Sequence, residues 1–211
     1  MNQVFAANLP LLKNIYGEAA INEKETTLQR LFMETETAWQ ANLKRLKGFT
    51  VKYILITEAP CTEGDNTQYF YNRIESSFHT KIWKGVFGDT PIPTDMETAY
   101  KMLAEKGFLL IDSIPFSLKF AGKRDKKPYT TLIANNAAVL AEKLSNKDLT
   151  IAPDAIAAFA FKVNAQKMIA ATGGKLTLAN GQEIPLSADN IAADASGYTN
   201  SALLHKIFGL G

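Results

Sequence analysis

The chain has 211 residues, of which 46% are hydrophobic and 21% are charged, a composition typical of a globular domain large enough to bury a core. The formal net charge of +2 is too small for the whole molecule to attract polyanions, so any affinity for nucleic acid must come from a local patch. The single cysteine excludes an internal disulfide framework and a cysteine-based zinc or iron–sulfur site.

The sequence shows no sign of a membrane or secretory segment. No stretch approaches the roughly 20 apolar residues that span a bilayer, and the start M-N-Q-V-F-A-A-N-L-P lacks the basic end and apolar run of a signal peptide. We therefore expect a cytoplasmic monomer without cofactor or metal. We expect one α/β domain over residues 1–211, with a helical segment at 1–48 and the core at 49–211.

The first half of the chain predicts a long helix, a strand and a short helix. Asn22 and Glu25 form a capping-box pattern at a helix start. Apolar residues then recur at the helical period until Gly48, which supplies a left-handed stop. A β-branched run predicts the first strand at 51–57, and a short helix is expected at 78–87.

The middle of the chain repeats this order. Thr94 and Glu97 form a second capping box, and the helix that they open is expected to stop at Gly107. The second strand is predicted at 108–115. A basic loop then leads into an alanine-rich helix at 129–144.

The last third predicts a further strand and a hairpin. Residues 155–162 are an apolar run that predicts a third buried strand, although its alanines also allow a helix. A helix is expected at 164–171. Asn180 and Gly181 lie between two alternating stretches and predict a hairpin, and the final helix is expected at 201–208.

This alternation of strands and helices predicts a three-layer α/β/α domain with a short, mostly parallel sheet covered on both faces. The sequence leaves open whether the first fifty residues belong to the core or form an added helical layer. Two strands stop at a carboxylate near a proline, Glu58 before Pro60 and Asp112 before Pro115. Because ligands bind outside the carboxyl ends of parallel strands, we expect a polar site there.

Several segments resemble motifs of the uracil-DNA glycosylase superfamily. T-E-A-P-C-T-E-G-D, residues 57–65, resembles the G-E-A-P-G loop of its thermophilic branch, with Thr57 and Cys61 where that branch has glycines. Q-Y-F-Y-N, residues 68–72, stands where the family has an aromatic that stacks on the extruded base.

Two later segments extend the likeness. G-F-L-L-I-D-S-I-P, residues 107–115, resembles the base-reading strand, with Asp112 in place of an Asn. The closing stretch 196–209 resembles the last motif, but it has no histidine at the family's catalytic place, since His205 comes several residues late. In element order the likeness runs from about residue 51 to the end. It implies a short parallel sheet between helices, DNA as partner and base excision as activity, without the thermophilic branch's iron–sulfur cluster.

Three carboxylates surround the end of the first strand: Glu58, Glu63 and Asp65. Removal of a base from deoxyribose passes through an oxocarbenium-like sugar, which a nearby carboxylate stabilises while it orients water. The resemblance makes these three the candidate catalytic residues. A solvated turn at 63–66 is the alternative interpretation.

Tyr69, Phe70 and Tyr71 are the candidates for stacking on an extruded base, a contact that contributes about 1–3 kcal/mol per base. Asp112 is the candidate contact for the polar edge of the base. An ionised carboxylate only accepts hydrogen bonds, so the sequence favours a base that presents donors over uracil. Ordinary packing of the aromatics, and a structural carboxylate paired with Lys119, are the alternatives.

Two groups of residues are candidates for contact with DNA phosphates: the basic residues Lys119, Lys123 and Arg124, and the helix-start residues Thr199, Asn200 and Ser201. A solvated charge run is the alternative for the first group. For Thr199, Asn200 and Ser201, capping of the helix is the first role that we expect.

The two histidines, His79 and His205, lack the spacing of a metal site, and we expect them to be packed or surface residues. Cys61 has no histidine nearby in the sequence and is interpreted as a plain loop cysteine.

Two other functions stay open. One is an α/β enzyme that acts on a nucleotide or a small acidic metabolite in the same strand-end pocket, although the chain has neither a G-x-G-x-x-G nor a G-x-x-x-x-G-K-[ST] phosphate loop. The other is a catalytically inactive binding protein on the same scaffold. Across these possible functions, the expected ligand is DNA, a nucleobase or a nucleotide.

The basic cluster leads to a test of DNA binding. If Lys123 and Arg124 contact phosphates, the double substitution Lys123→Ala/Arg124→Ala should reduce the slope of log affinity against log salt by about 2, because each neutralised phosphate contributes about 0.9. A DNA shift assay at several salt concentrations measures this slope. Lys44→Ala/Lys47→Ala removes the same charge at the end of a helix and should leave the slope unchanged; an equal effect of both pairs would contradict a specific contact.

Overall fold

The structure is a computed structural model that describes residues 3–63, 66–72, 77–117 and 126–210, without the side chains of 62, 63, 67 and 126–129. Within these ranges no helix is both long and apolar enough to cross a membrane.

The chain begins with two helices and then alternates between strands and helices. The helices are α1 (Gln3–Tyr16), α2 (Glu18–Leu46), α3 (Ser77–Phe87), α4 (Met96–Glu105), α5 (Lys126–Asn135), α6 (Ala137–Leu144), α7 (Lys162–Thr172) and α8 (Ser201–Ile207). The strands are β1 (Thr50–Thr57), β2 (Cys61–Glu63), β3 (Asn66–Gln68), β4 (Phe108–Asp112), β5 (Thr150–Phe159), β6 (Lys175–Thr177) and β7 (Glu183–Pro185). A 3₁₀ turn at Phe70–Asn72 follows β3.

The main sheet has three parallel strands in the order β4–β1–β5. The prediction of an α/β protein with a short parallel sheet is therefore confirmed. The central strand, β1, is in register with β4 so that Thr57 lies beside Asp112. Two antiparallel pairs, β2–β3 and β6–β7, accompany the sheet, and the second pair is the hairpin predicted around Gly181.

Two strand boundaries differ from the prediction. β4 ends at Asp112 and not at 115, because Ser113 and Ile114 turn across the end of β1 and donate their amides to the carbonyl oxygens of Thr57 and Glu58. The third strand was predicted at 155–162 but spans Thr150–Phe159. It passes through Pro153 where its register against β1 shifts, and such an irregularity tolerates a proline inside a strand.

Two helix starts also differ from the prediction. The helix predicted from Asn22 begins at Glu18, because Gly17, with φ 90°, separates α1 from α2. The cap of α4 is Asp95, whose carboxylate accepts from the amide of Thr98 at 2.7 Å, and the predicted Thr94 cap was wrong.

The alanine-rich helix predicted at 129–144 is interrupted at Asn136. The amides of Asn136 and of Asn8 in α1 donate to each other's oxygens at 2.9 Å in a buried reciprocal pair. A contact between residues so far apart in the chain leaves no local signal.

Helices cover both faces of the main sheet. Ile54, Ile56 and Phe159 point to a core shared with α1, α2, α5, α6 and α7. The alternate residues, among them Leu55 and Leu110, point to a second core shared with α3, α4 and α8. Helices α1 and α2 thus contribute to the same core as the sheet, which answers the question that the sequence left open about the first fifty residues.

Gly107 fixes the entry into β4 and provides a stability test. Its φ is +78°, and a Cβ there would lie 2.6 Å from the carbonyl oxygen of Thr50 in β1. Gly88 has φ +66° and no atom within 4 Å of such a Cβ. Gly88→Ala should therefore lose only the roughly 1–2 kcal/mol of a left-handed alanine, whereas Gly107→Ala should lose at least about 2 kcal/mol more through the backbone clash. Urea denaturation followed by circular dichroism measures both, and equal losses would contradict the close approach of β1 and β4.

Candidate functional site

A cavity of about 210 Å³ opens at the carboxyl ends of β1 and β4. Its walls are mostly apolar, with polar side chains from both strand ends. It is lined by Thr57, Ala59, Pro60, Cys61, Gln68, Tyr69, Phe70, Phe78, His79, Leu110, Asp112 and Phe161. The sheet therefore brings the first loop, the aromatic segment and the end of the second strand to one place, as the sequence analysis expected.

Thr57 and Asp112 form the polar floor of this cavity. The Thr57 hydroxyl donates a hydrogen bond to Oδ1 of Asp112. Oδ2 of Asp112 is buried and has no hydrogen-bond partner among the described residues. Burial raises the pKa of Asp112 to about 7; the bond from Thr57 and the charge of Lys143 act in the opposite direction, and the charge of Glu58 adds to the rise.

The aromatic wall of the cavity is held rigidly. The ring of Phe70 stacks on the ring of His79, with centroids 4.4 Å apart and 5° between the planes. The carbonyl oxygen of Phe70 accepts from the Tyr100 hydroxyl and lies 2.7 Å from Nε2 of His79, so Nε2 carries a proton. Burial, followed by the nearby Asp112 charge, raises the pKa of Tyr69 well above its usual range, so its phenol is neutral.

Tyr71, the third predicted stacking residue, is not part of the cavity lining. Its hydroxyl donates to the carbonyl oxygen of Leu110 at 3.0 Å and accepts from the Leu110 amide at 2.8 Å. Leu110 lies on β4, an edge strand of the three-stranded sheet. Tyr71 thus satisfies backbone groups that an edge strand leaves unpaired, which is a structural role.

The predicted catalytic carboxylates are described unequally. The side chain of Glu58 is partly buried and is absent from the cavity lining, although its charge acts on Asp112. Glu63 ends β2, whose first residue, Cys61, lines the cavity, but the side chain of Glu63 lies outside the described part of the chain. Asp65 lies wholly outside it.

The predicted phosphate contacts are also described in part. Lys119, Lys123 and Arg124 fall between the described ranges. Thr199 is buried and donates its hydroxyl to the carbonyl oxygen of Ala160 at 3.3 Å. Asn200 caps α8, as predicted, by accepting from the amide of Leu203 at 3.1 Å.

The remaining helix-start residue, Ser201, is the first residue of α8 and is partly exposed. His205, on the same helix, lies with Nδ1 3.1 Å from the carbonyl oxygen of Gly85 and is a packed histidine. The prediction of a phosphate contact was wrong for Thr199, because its side chain is buried and hydrogen-bonded to Ala160. Ser201 and Asn200, whose side-chain oxygen is engaged in the cap, stay predicted contacts.

Sequence reasoning missed Gln68, His79 and Phe161 as cavity residues. Each comes from a different segment, and only the folded chain brings them together. His79 carried one usable signal, because it falls on the buried face of the predicted helix 78–87 with Ile82 and Val86. Cys61, interpreted as a plain loop cysteine, proves to be an exposed thiol on the cavity lining.

Behind the floor, a buried network fixes the end of β1. Asn164 of α7 donates to the carbonyl oxygen of Thr57 at 2.7 Å and accepts from the hydroxyl of Ser113 at 2.7 Å. The position of Thr57 is thus set from below by two elements. No group of His, Cys, Asp and Glu residues suited to a metal ion is found among the described residues.

Comparison of the chain with protein-family models, with curated proteins and with solved structures gives no match.

The raised pKa of Asp112 predicts how stability depends on pH. The pKa of Asp112 is about 7 in the folded state and 3.8 in the unfolded state, so between these pH values only the folded state keeps the proton. The free energy of unfolding therefore falls as the pH rises from about 4 to about 7, by at most about 4 kcal/mol. Asp112→Asn removes this loss. The stability of the variant relative to wild type should therefore be higher at pH 8 than at pH 5, as measured by urea denaturation.

Asp194→Asn is the control for this measurement. Hydrogen bonds from Ser196 lower the pKa of Asp194, so this carboxylate is ionised at both pH 5 and pH 8, and its contribution to stability is lost only as the pH falls further. The difference between this variant and wild type should be the same at both pH values. If the stability difference between Asp112→Asn and wild type is also the same at pH 5 and pH 8, Asp112 is ionised in the folded state over this whole range.

Proposed function

We propose that the protein binds a nucleobase in the cavity at the end of the sheet and acts as a uracil-DNA glycosylase-like enzyme that removes an altered base from DNA. The observation that carries this proposal is the convergence of three separate segments on one cavity. They are the loop at 57–61, the aromatic segment at 68–70 and Asp112, the same segments whose sequences resemble the motifs of that superfamily. Helices on both faces of a short parallel sheet are in keeping with the fold that the resemblance implies.

The size and chemistry of the cavity suit a flat heterocycle. Its volume of about 210 Å³ is below the roughly 300–1,000 Å³ of sites for drug-sized ligands. The rings of Tyr69 and Phe70 supply an apolar wall, while Gln68 and Asp112 supply hydrogen-bonding groups. A nucleobase needs this combination, since its faces stack on aromatic rings and its edge forms hydrogen bonds.

The chemistry requires a carboxylate close to the sugar. In hydrolysis of the glycosidic bond, the bond between C1′ and the base nitrogen breaks and its electron pair leaves with the base. Water then adds to C1′ and gives a proton to a carboxylate. Glu58, which precedes the cavity residue Ala59, Glu63, which ends the strand that begins at the cavity residue Cys61, and Asp65 are the candidates for this role.

DNA is the proposed partner because an extruded base is attached to a phosphate backbone. The basic residues Lys119, Lys123 and Arg124, together with Asn200 and Ser201 at the start of α8, are the proposed contacts to the phosphates on either side. With a net charge of +2, the affinity should come from these local contacts and depend steeply on salt.

The stacking role of Tyr69 gives the decisive test. Tyr69→Leu should reduce the rate of base release by about 5- to 150-fold, the equivalent of about 1–3 kcal/mol of lost stacking, whereas Tyr69→Phe keeps the ring and should stay close to wild type. The assay follows release of uracil, hypoxanthine or an alkylated base from oligonucleotides. Tyr53→Leu is the matched control, because Tyr53 packs against Phe208 with ring centroids 5.1 Å apart and does not line the cavity.

The same assay separates the alternatives. Salt-dependent DNA binding without release of any base indicates an inactive binding protein on this scaffold. Absence of DNA binding, with Cys61 still protected from alkylation by a free nucleotide, indicates an enzyme for a small metabolite. Equal activity of Tyr69→Leu and Tyr69→Phe would remove the stacking role from the proposal.

A further inference from the structure

At the ends of its two strands, the chain departs from the family pattern at two positions. These two residues contact each other. Thr57 stands where the resembling loop has a glycine, and Asp112 stands where the base-reading strand has an Asn. In the structure they are register partners on β1 and β4, and the Thr57 hydroxyl donates to Oδ1 of Asp112. A glycine at position 57 would leave this oxygen without its donor, so the two departures form one unit.

The surroundings of Asp112 disfavour a negative charge there. Oδ2 is buried without a hydrogen-bond partner, and no Lys, Arg or His forms an ion pair with Asp112 in the part of the chain that is described. Asp112 as a residue is partly exposed, but a carboxylate with one oxygen buried and unpartnered and with a single donor on the other is costly to ionise. The neutral acid keeps the Thr57 bond on Oδ1 and places its proton on Oδ2.

The charged groups around Asp112 do not overturn this conclusion. Lys143 of α6 favours the ionised form, but it is engaged in an ion pair with Glu36 of α2. Glu58, after β1, favours the neutral form. Tyr69 is neutral for the reason given above, and the Nε2 proton of His79 is directed to the carbonyl oxygen of Phe70. Burial and the charge of Glu58 raise the pKa of Asp112, the Thr57 bond and the charge of Lys143 lower it, and the net value is about 7.

We propose that Thr57 and Asp112 determine specificity together: Thr57 holds one carboxyl oxygen, and Asp112 contacts the ligand as a neutral acid that donates a hydrogen bond to a carbonyl oxygen or an unprotonated ring nitrogen. This inference rests on the proposed function, because it takes the ligand to be a nucleobase. It reverses the expectation drawn from the sequence, which assumed an ionised carboxylate and a ligand that presents donors. A neutral carboxyl group both donates and accepts, as an amide does, so Asp112 takes over the hydrogen-bonding pattern of the family's Asn.

Binding of free uracil at several pH values tests the proposal. Uracil presents carbonyl oxygens, so its affinity should fall by about thirtyfold between pH 6 and pH 8.5 as a group with a pKa of about 7 loses its proton. Asp112→Asn should bind uracil with an affinity that does not change over this range. Titration calorimetry measures both, and affinity of the wild-type protein that is constant or rises with pH would overturn the proposal.

Thr57 variants test the second half of the unit. Since the bond from Thr57 lowers the pKa of Asp112, Thr57→Val, which keeps the shape, should move the midpoint of the uracil pH profile upward. Thr57→Ser keeps the hydroxyl and should restore the wild-type midpoint. A merely structural role of Thr57 would weaken binding equally at every pH and leave the midpoint in place, which would contradict the proposal.

A measurement without ligand keeps the outcome independent of the proposed function. The ¹³C NMR signal of the Asp112 carboxyl group should titrate near pH 7 in wild type and at higher pH in Thr57→Val. If uracil and the other bases fail to bind at any pH and no base is released from DNA, the proposed function fails, while this titration still decides the state of the pair. A midpoint below pH 5 would overturn the neutral acid itself.

Discussion

The site depends on the parallel register of β1 and β4, which places the last residue of one strand beside the last residue of the other. Thr57 and Asp112 are paired at this end, and the chain then turns across β1 through the amides of Ser113 and Ile114. Because the central strand is hydrogen-bonded on both sides, its end cannot shift without disturbing β5 as well. Asn164 adds a buried bond to the carbonyl oxygen of Thr57. The cavity floor is therefore held in place by the hydrogen bonds of the sheet.

The wall of the cavity is rigid for a separate reason. The carbonyl oxygen of Phe70 receives donors from α3 and α4, through His79 and Tyr100, and the next residue, Tyr71, is bonded to the edge of β4. The segment at 69–71 is thus tied to three elements of the second core. Preorganised aromatic groups bind a flat ligand without a large loss of conformational freedom. Floor and wall are thus supported by different helices, α7 for the floor and α3 and α4 for the wall.

The sequence predicted those elements whose boundaries depend on residues close together in the chain. The β-branched run of β1, the left-handed glycine at 48 and the Asn200 cap each act within a few residues, and each was recognised. The break at Asn136 depends on Asn8, and the structural role of Tyr71 depends on Leu110; neither partner is near in sequence. For the site, the strand-end rule selected Asp112, and the resemblance selected Tyr69 and Phe70; all three line the cavity. Neither could select Gln68, His79 or Phe161, because membership of a cavity depends on the packing of distant segments.

Asp112 shows most clearly that stability alone does not account for this site. An Asn or an apolar residue at the end of β4 would avoid the cost of a buried carboxyl group with one oxygen unpaired. The chain nevertheless carries a carboxyl group there, and a threonine hydroxyl that satisfies only half of it. Local features that cost stability without a structural return are concentrated at functional sites. The orphaned oxygen lies on a side chain that lines a cavity with aromatic walls, and this placement is the basis for proposing that a ligand supplies the missing partner. In the proposed function, Asp112 is therefore the residue whose contact with the base departs most from the family that the sequence resembles.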